Sequence, residues 1–216
     1  MLPASTIRIA ALLLLTSVVL GALFNQYFVG PVIFKKDFLT MAAAQETKVI
    51  TGVLLSIVDV VIGFFIVILL WPAFSPINRN LTMLYAGLAL VAAVPIILDD
   101  VNALAIVNLS KSYVSEPDPG LIPLSKVLFK ARWWTHYFTL LMAGPMFGVF
   151  NLLLFQSKLA PRLLSVWGIV GALLLMIEII LSMYGKPTNM MMLMPFGLQQ
   201  MALIILWLIR PVKASA

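Results

Sequence analysis

Six apolar runs, each long enough to cross a lipid bilayer, leave this chain one class of fold. They extend from about Ile7 to Phe28, Val49 to Phe74, Leu81 to Ser110, Phe129 to Gln156, Leu159 to Tyr184 and Met190 to Ile209. A helix needs about 20 apolar residues to cross the roughly 30 Å hydrocarbon core. Within lipid every backbone polar group must be satisfied inside the structure, and none of the runs shows the period-two alternation of a barrel strand, so each reads as a helix. The expected fold is all-α, a polytopic integral membrane bundle forming a single six-helix transmembrane domain over residues 1–216. With 62% hydrophobic and 10% charged residues and no cysteine, the composition excludes a soluble enzyme, a disordered chain and a disulfide scaffold.

The connections alternate in character. SPINRN joins the second and third spans and QSKLAPR the fourth and fifth, each a polar turn with proline and arginine that suits a tight hairpin. On the other side, Lys35 to Lys48 reads as a short interfacial helix with Phe38, Met41 and Ala42 on one face, and Ser115 to Pro123 as an extended loop. The termini and tight turns carry Arg8, Arg79, Lys158, Arg162, Arg210 and Lys213 without an acid. The opposite side has more basic residues in total, Arg132 among them, spread over longer loops. Basic density per loop length therefore places both termini in the cytoplasm of a cell whose inner membrane holds the protein. The first span has some features of a signal peptide but runs past the usual length, and is read as a retained helix. The net charge of +6 has a juxtamembrane meaning, toward anionic lipid headgroups, and no nucleic-acid motif accompanies it.

Asp59, Asp99, Asp100 and Glu178 fall within or at the edge of a span. A carboxylate at a helix centre costs about 2.5–3.5 kcal/mol on insertion scales, so these acids are the best functional clue in the sequence. At a rise of about 1.5 Å per residue from the cytoplasmic ends, Asp59 lies about 18 Å up, Glu178 about 23 Å, Asp99 about 27 Å and His136 about 29 Å. All fall in the outer half. Asn25, Gln26, Gln199, Gln200 and Trp134 are expected to line the same region, which predicts one polar cavity open to the outer face. Adjacent Asp99 and Asp100 repel when both are ionised, so one is expected to hold a proton, and the single histidine, His136, is placed to relay it. The competing reading makes RWWTHY an interfacial anchor, lets one of the aspartates point into water, and gives Asp59 and Glu178 structural bonds between helices.

No nucleotide-binding, nucleophile-elbow or zinc-protease motif is present. One histidine and no cysteine argue against haem, zinc or iron, and methionines 190, 191, 192 and 194 read as apolar filler before they read as copper ligands, so no metal or cofactor is expected. GPMFG, from Gly144 to Gly148, is a small-xxx-small pattern that lets helices approach closely.

The span VLLSIVDVVIGFFIVILLWPAFSPINRNL, the segment KKDFLTMAAAQETKVITG and above all HYFTLLMAGPMFGVFNLLLFQSKLAPRLLSVWGIVGAL resemble the prokaryotic membrane family catalogued as domain of unknown function 4386. The most specific part is a histidine-led fourth helix followed by a Ser-x-x-x-Pro-Arg turn, here His136, Ser157, Pro161 and Arg162. The resemblance implies a bacterial or archaeal cytoplasmic-membrane protein of six helices and no established activity. This chain departs from it at Lys158 and Ala160, where a glycine-containing turn is expected, and around Glu116 to Gly120.

Three functions are compatible with these features. The first is binding or transport of protons or of an apolar or cationic small molecule, with Asp59, Asp99 and Glu178 as titrating or cation-pairing groups. The second is acid-base chemistry on a polyprenyl or terpenoid lipid inside the membrane. The third is a non-catalytic subunit that packs against other membrane subunits and lipids.

Overall fold

In a computed structural model of the chain, residues 3–209 are described, and among them all regular structure is helical. Arg210 and Lys213, counted above toward the cytoplasmic charge, lie outside the described residues. Helix α1 (Ala4–Leu23) runs through a π-helical turn (Phe24–Phe28) into the short α2 (Gly30–Ile33); α3 (Phe38–Ala44) follows. The long helices are α4 (Glu46–Phe74), α5 (Arg79–Ser115), α6 (Leu121–Ser157), α7 (Arg162–Met183) and α8 (Met190–Ile209). Six helical stretches are long and apolar enough to cross a membrane: Ala4–Ile33 and each of α4 to α8. Leu54, Phe65, Ile68, Leu90, Val101, Leu173 and Ile205 are exposed, as lipid-facing side chains must be.

Two boundaries differ from the sequence reading. Helix α6 begins at Leu121, well before Phe129, and α5 continues past Ser110 to Ser115. The expected loop from Ser115 to Pro123 therefore shrinks to a few residues. Asp118 causes this: its carboxylate accepts the Gly120 N–H at 2.8 Å and its carbonyl accepts the Leu121 N–H at 3.0 Å, which starts the helix early. Pro123 then sits in the first turn, where it has no intrahelical hydrogen bond to lose.

By internal packing the chain forms two compact units. The first joins Ser17–Val61 to Val94–His136. Its apolar centre is built from Val32, Ile33, Ala42, Val49, Val53, Ala103, Ile106 and Val107. Ser110 fixes α3 against α5, accepting the Ala43 N–H at 2.8 Å and donating to the Leu39 carbonyl at 2.6 Å. The π-helical turn closes with the Val29 N–H bonded to the Phe24 carbonyl at 2.9 Å. Position 30 must then be glycine, because a Cβ there collides with the Asn25 carbonyl.

The second unit takes in residues 3–16, Ile62–Ala93 and residues 137–209. Phe150 is its aromatic centre, meeting Phe74, Tyr85, Phe147 and Trp207 at centroid distances of 5.5–6.4 Å. The Trp207 indole N–H donates to the Leu159 carbonyl at 2.8 Å. Gly144 and Gly148 face Met176 and Ala172 of α7, the close approach expected of GPMFG. Lys158, in the turn before α7, has φ 56°, a conformation that glycine adopts at lower cost. Gln199 reaches from α8 to Asn151 of α6 at 2.9 Å, and Asn151 donates to the Phe147 carbonyl at 2.9 Å.

Gly168 makes room for that bond, since a Cβ on it collides with the Asn151 side chain. Gly168→Ala is expected to destabilise the protein by about 1–3 kcal/mol through overpacking, read as a lower Tm in detergent. The same substitution in an Asn151→Ala background is expected to cost much less. Equal losses in both backgrounds refute this assignment.

Candidate functional site

Helix α5 brings Asp99, Asp100 and Asn102 to the first unit, and α6 brings Arg132, Thr135 and His136, whose spacing of three and four residues sets them on one helical face. Arg132 Nη2 donates to Asp99 Oδ2 at 3.2 Å, the arginine side chain having 0% exposure and the aspartate 6%. The Thr135 hydroxyl lies 3.0 Å from Asp99 Oδ1 and 2.9 Å from the Arg132 carbonyl, and its one hydrogen serves a single acceptor at a time. Asn102 donates to that hydroxyl at 3.4 Å.

Aromatic rings cover the cation. The guanidinium carbon stands 4.6 Å from the Phe34 ring centre and 6.0 Å from that of Phe24, within cation–π range. Phe24 comes from the π-helical turn and Phe34 from the irregular segment after α2. Phe34 also meets Trp133 at 5.6 Å and His136 at 6.3 Å, which sets the half-buried imidazole at the rim, within electrostatic reach of Asp99 and Arg132.

The cluster is incompletely satisfied. Among the described residues, Arg132 Nε and Nη1 have no hydrogen-bond partner, and neither has either carboxylate oxygen of Asp100. Ser56 of α4 lies beside Asp100 without reaching bonding geometry. Asp59, three residues further along α4, lies beside Ser17 of α1 and leaves Oδ1 unpartnered. A buried polar group without a partner costs about 1–3 kcal/mol, more when charged. In charge, an ionised Asp99 balances Arg132, and Asp100 adds one negative charge to the group whenever it gives up its proton. One further proton or one cationic group makes it neutral.

The other residues expected here have surroundings of their own. Glu178 belongs to the second unit, where its Oε1 accepts the Asn189 backbone N–H at 2.7 Å and the Ser182 hydroxyl at 3.4 Å. Asn189 in turn accepts the Met191 N–H at 3.0 Å, so Glu178 anchors the N-terminus of α8. Gln199 is bonded to Asn151 as described, and Gln200 is half-buried in the same unit. Asn25 donates to its own helix at Gly21, while Gln26 and Trp134 are exposed. Among the described residues no three His, Asp or Glu side chains converge as a metal site.

Arg132 is the residue that reading the sequence missed, because the two tryptophans after it suggested a headgroup anchor. The signal was its position three and four residues before Thr135 and His136. The geometry gives the two aspartates opposite effects on stability. Asp99→Asn leaves a buried guanidinium without its counter-ion and is expected to cost about 3–5 kcal/mol. Asp100→Asn removes an unpaired carboxylate and is expected to hold or raise Tm. Thermal unfolding of both variants in detergent checks this; equal loss from both refutes it.

No curated protein and no solved structure shows significant similarity to the chain. A family model does: the one described as Domain of unknown function (DUF4386) matches residues 9–210, from within α1 to the end of α8. The match takes in all six apolar helices and every residue of the buried cluster, and the chain is a member of that family.

Proposed function

We propose that the protein is a membrane-embedded binding protein for a small polar molecule, a transporter or sensor, whose binding station is the cluster of Asp99, Asp100, Arg132 and Thr135 with His136 at its rim. The observation that carries this reading is a fully buried arginine with two unpartnered nitrogens beside an aspartate with two unpartnered oxygens. Ionisable groups inside a membrane protein are kept at a cost and mark ligand or ion pathways. An ion pair that served only to hold α5 against α6 would be more stable with its remaining donors satisfied by neighbouring carbonyls. Charge density in the connections supports a reading with both termini in a bacterial cytoplasm and the cluster toward the outer face of the cytoplasmic membrane.

A thermal-shift panel on the detergent-solubilised chain tests the reading. Primary amines, amino acids, short carboxylates, phosphates and sugars are added separately at high excess. A binding class at 100-fold over its Kd is expected to raise Tm by roughly 5–10 °C, and to leave Asp100→Asn unshifted. If no class shifts the unmodified chain, or if the variant responds equally, the reading is wrong.

A further inference from the structure

The open valences of the cluster specify the chemistry of its occupant. An ionised Asp100 offers two acceptor oxygens and no donor, so its partner must bring N–H or O–H groups. Arg132 offers Nε and Nη1 hydrogens and no acceptor, so a partner that reaches both groups must also bring an oxygen. Phe34 and Phe24 stand over the guanidinium, which leaves the in-plane edge, where hydrogen bonds form, as the approach to those nitrogens. With Asp100 ionised the cluster carries one negative charge in excess, which selects a cation over an anion, because an anionic ligand would double the imbalance in a low-dielectric site. Exposure of 4% or less at Asp99, Asp100 and Arg132 shuts out bulk water, so a small occupant has to complete their hydrogen bonds itself.

From these four constraints, and resting on the binding station proposed above, we infer that the site takes a small protonated primary amine bearing an oxygen acceptor, of the amino-alcohol class. The ammonium bonds the Asp100 carboxylate, and the oxygen accepts from Arg132 Nε or Nη1. Asp99 keeps its bond to Nη2 and holds the guanidinium in place. Thr135 fixes Asp99 in turn. Access runs past Phe34, which lies in the irregular segment between α2 and α3 and can be displaced without breaking a long helix.

Isothermal titration of the full chain in detergent, with ethanolamine, ethylamine, choline and acetate as probes, decides the matter. Ethanolamine is expected to bind. Ethylamine, which lacks the oxygen, is expected to bind about 10–100-fold more weakly. Choline has no N–H to give Asp100, and acetate has the wrong charge; neither is expected to bind detectably. Asp100→Asn, checked for an unchanged elution profile and a Tm no lower than that of the unmodified chain, is expected to weaken ethanolamine by at least about 100-fold. Ethylamine binding as tightly as ethanolamine, or ethanolamine binding the variant unchanged, overturns the inference. Acetate binding that is lost in Asp100→Asn also overturns it while leaving the binding station intact. Should no probe bind and no class in the thermal-shift panel act, both fall together.

Discussion

The first unit is organised around a guanidinium with no exposed surface, held by one hydrogen bond to Asp99. Moving such a cation out of water costs several kcal/mol, and one carboxylate at 3.2 Å offsets only part of it. The surrounding sequence supplies the rest in identifiable pieces. Thr135 orients Asp99, and Phe24 and Phe34 present ring faces to the cation. The conformation that delivers those rings has its own requirements. Phe24 opens a π-helical turn, that turn forces glycine at position 30, and the short α2 then ends at Phe34. A break in an apolar helix, costly in lipid, is thus tied to one cation, in keeping with the frequent placement of π-turns at functional sites.

Polar groups in the second unit behave differently. Gln199 and Asn151 satisfy each other and nearby carbonyls, Trp207 reaches Leu159, and Glu178 receives the N–H that precedes α8. Apart from the Asn151–Phe147 bond within α6, each ties one helix to another or to a turn. Interhelical bonds of this kind contribute about 0.6–2 kcal/mol in membranes, and they need no ligand to complete them. The cluster at Asp99 has the same chemistry with open valences. Incomplete satisfaction, more than burial or charge, is what singles it out.

Much of this was legible in the sequence because lipid imposes a long apolar period that few other constraints override. All six helices appear where the hydropathy puts them, and the acids of α5 stand out by their cost. The failures share one cause: a side chain's partner is set by tertiary contact, which local pattern does not encode. Asp118 started α6 early through an Asx turn that resembled loop composition. Depth alone put Glu178 with the aspartates, although its partner, Asn189, lies a few residues further along the chain. Arg132 was hidden by the tryptophans beside it, which share its sequence neighbourhood but not its helical face. Lys158 occupies the turn position where the family resemblance implied glycine, and its φ of 56° shows that the backbone demand remains while the residue has changed.

Asp99 and Asp100 are neighbours in sequence and equally buried, yet successive residues on a helix point about 100° apart. That angle gives them separate partners. Asp99 turns to α6 and its arginine, whereas Asp100 lies beside Ser56 of α4, on the side of that helix that also carries Asp59 three residues on. One aspartate is therefore committed to holding the cation, and the other is left uncommitted beside a second acid-bearing helix. A fold under selection for stability alone gains nothing from the second carboxylate, since asparagine fits the same space without its charge. Keeping a group that costs stability where it meets no protein partner is what a binding site requires, because the same unpaired oxygens that weaken the empty protein are the ones that gain most when a ligand arrives.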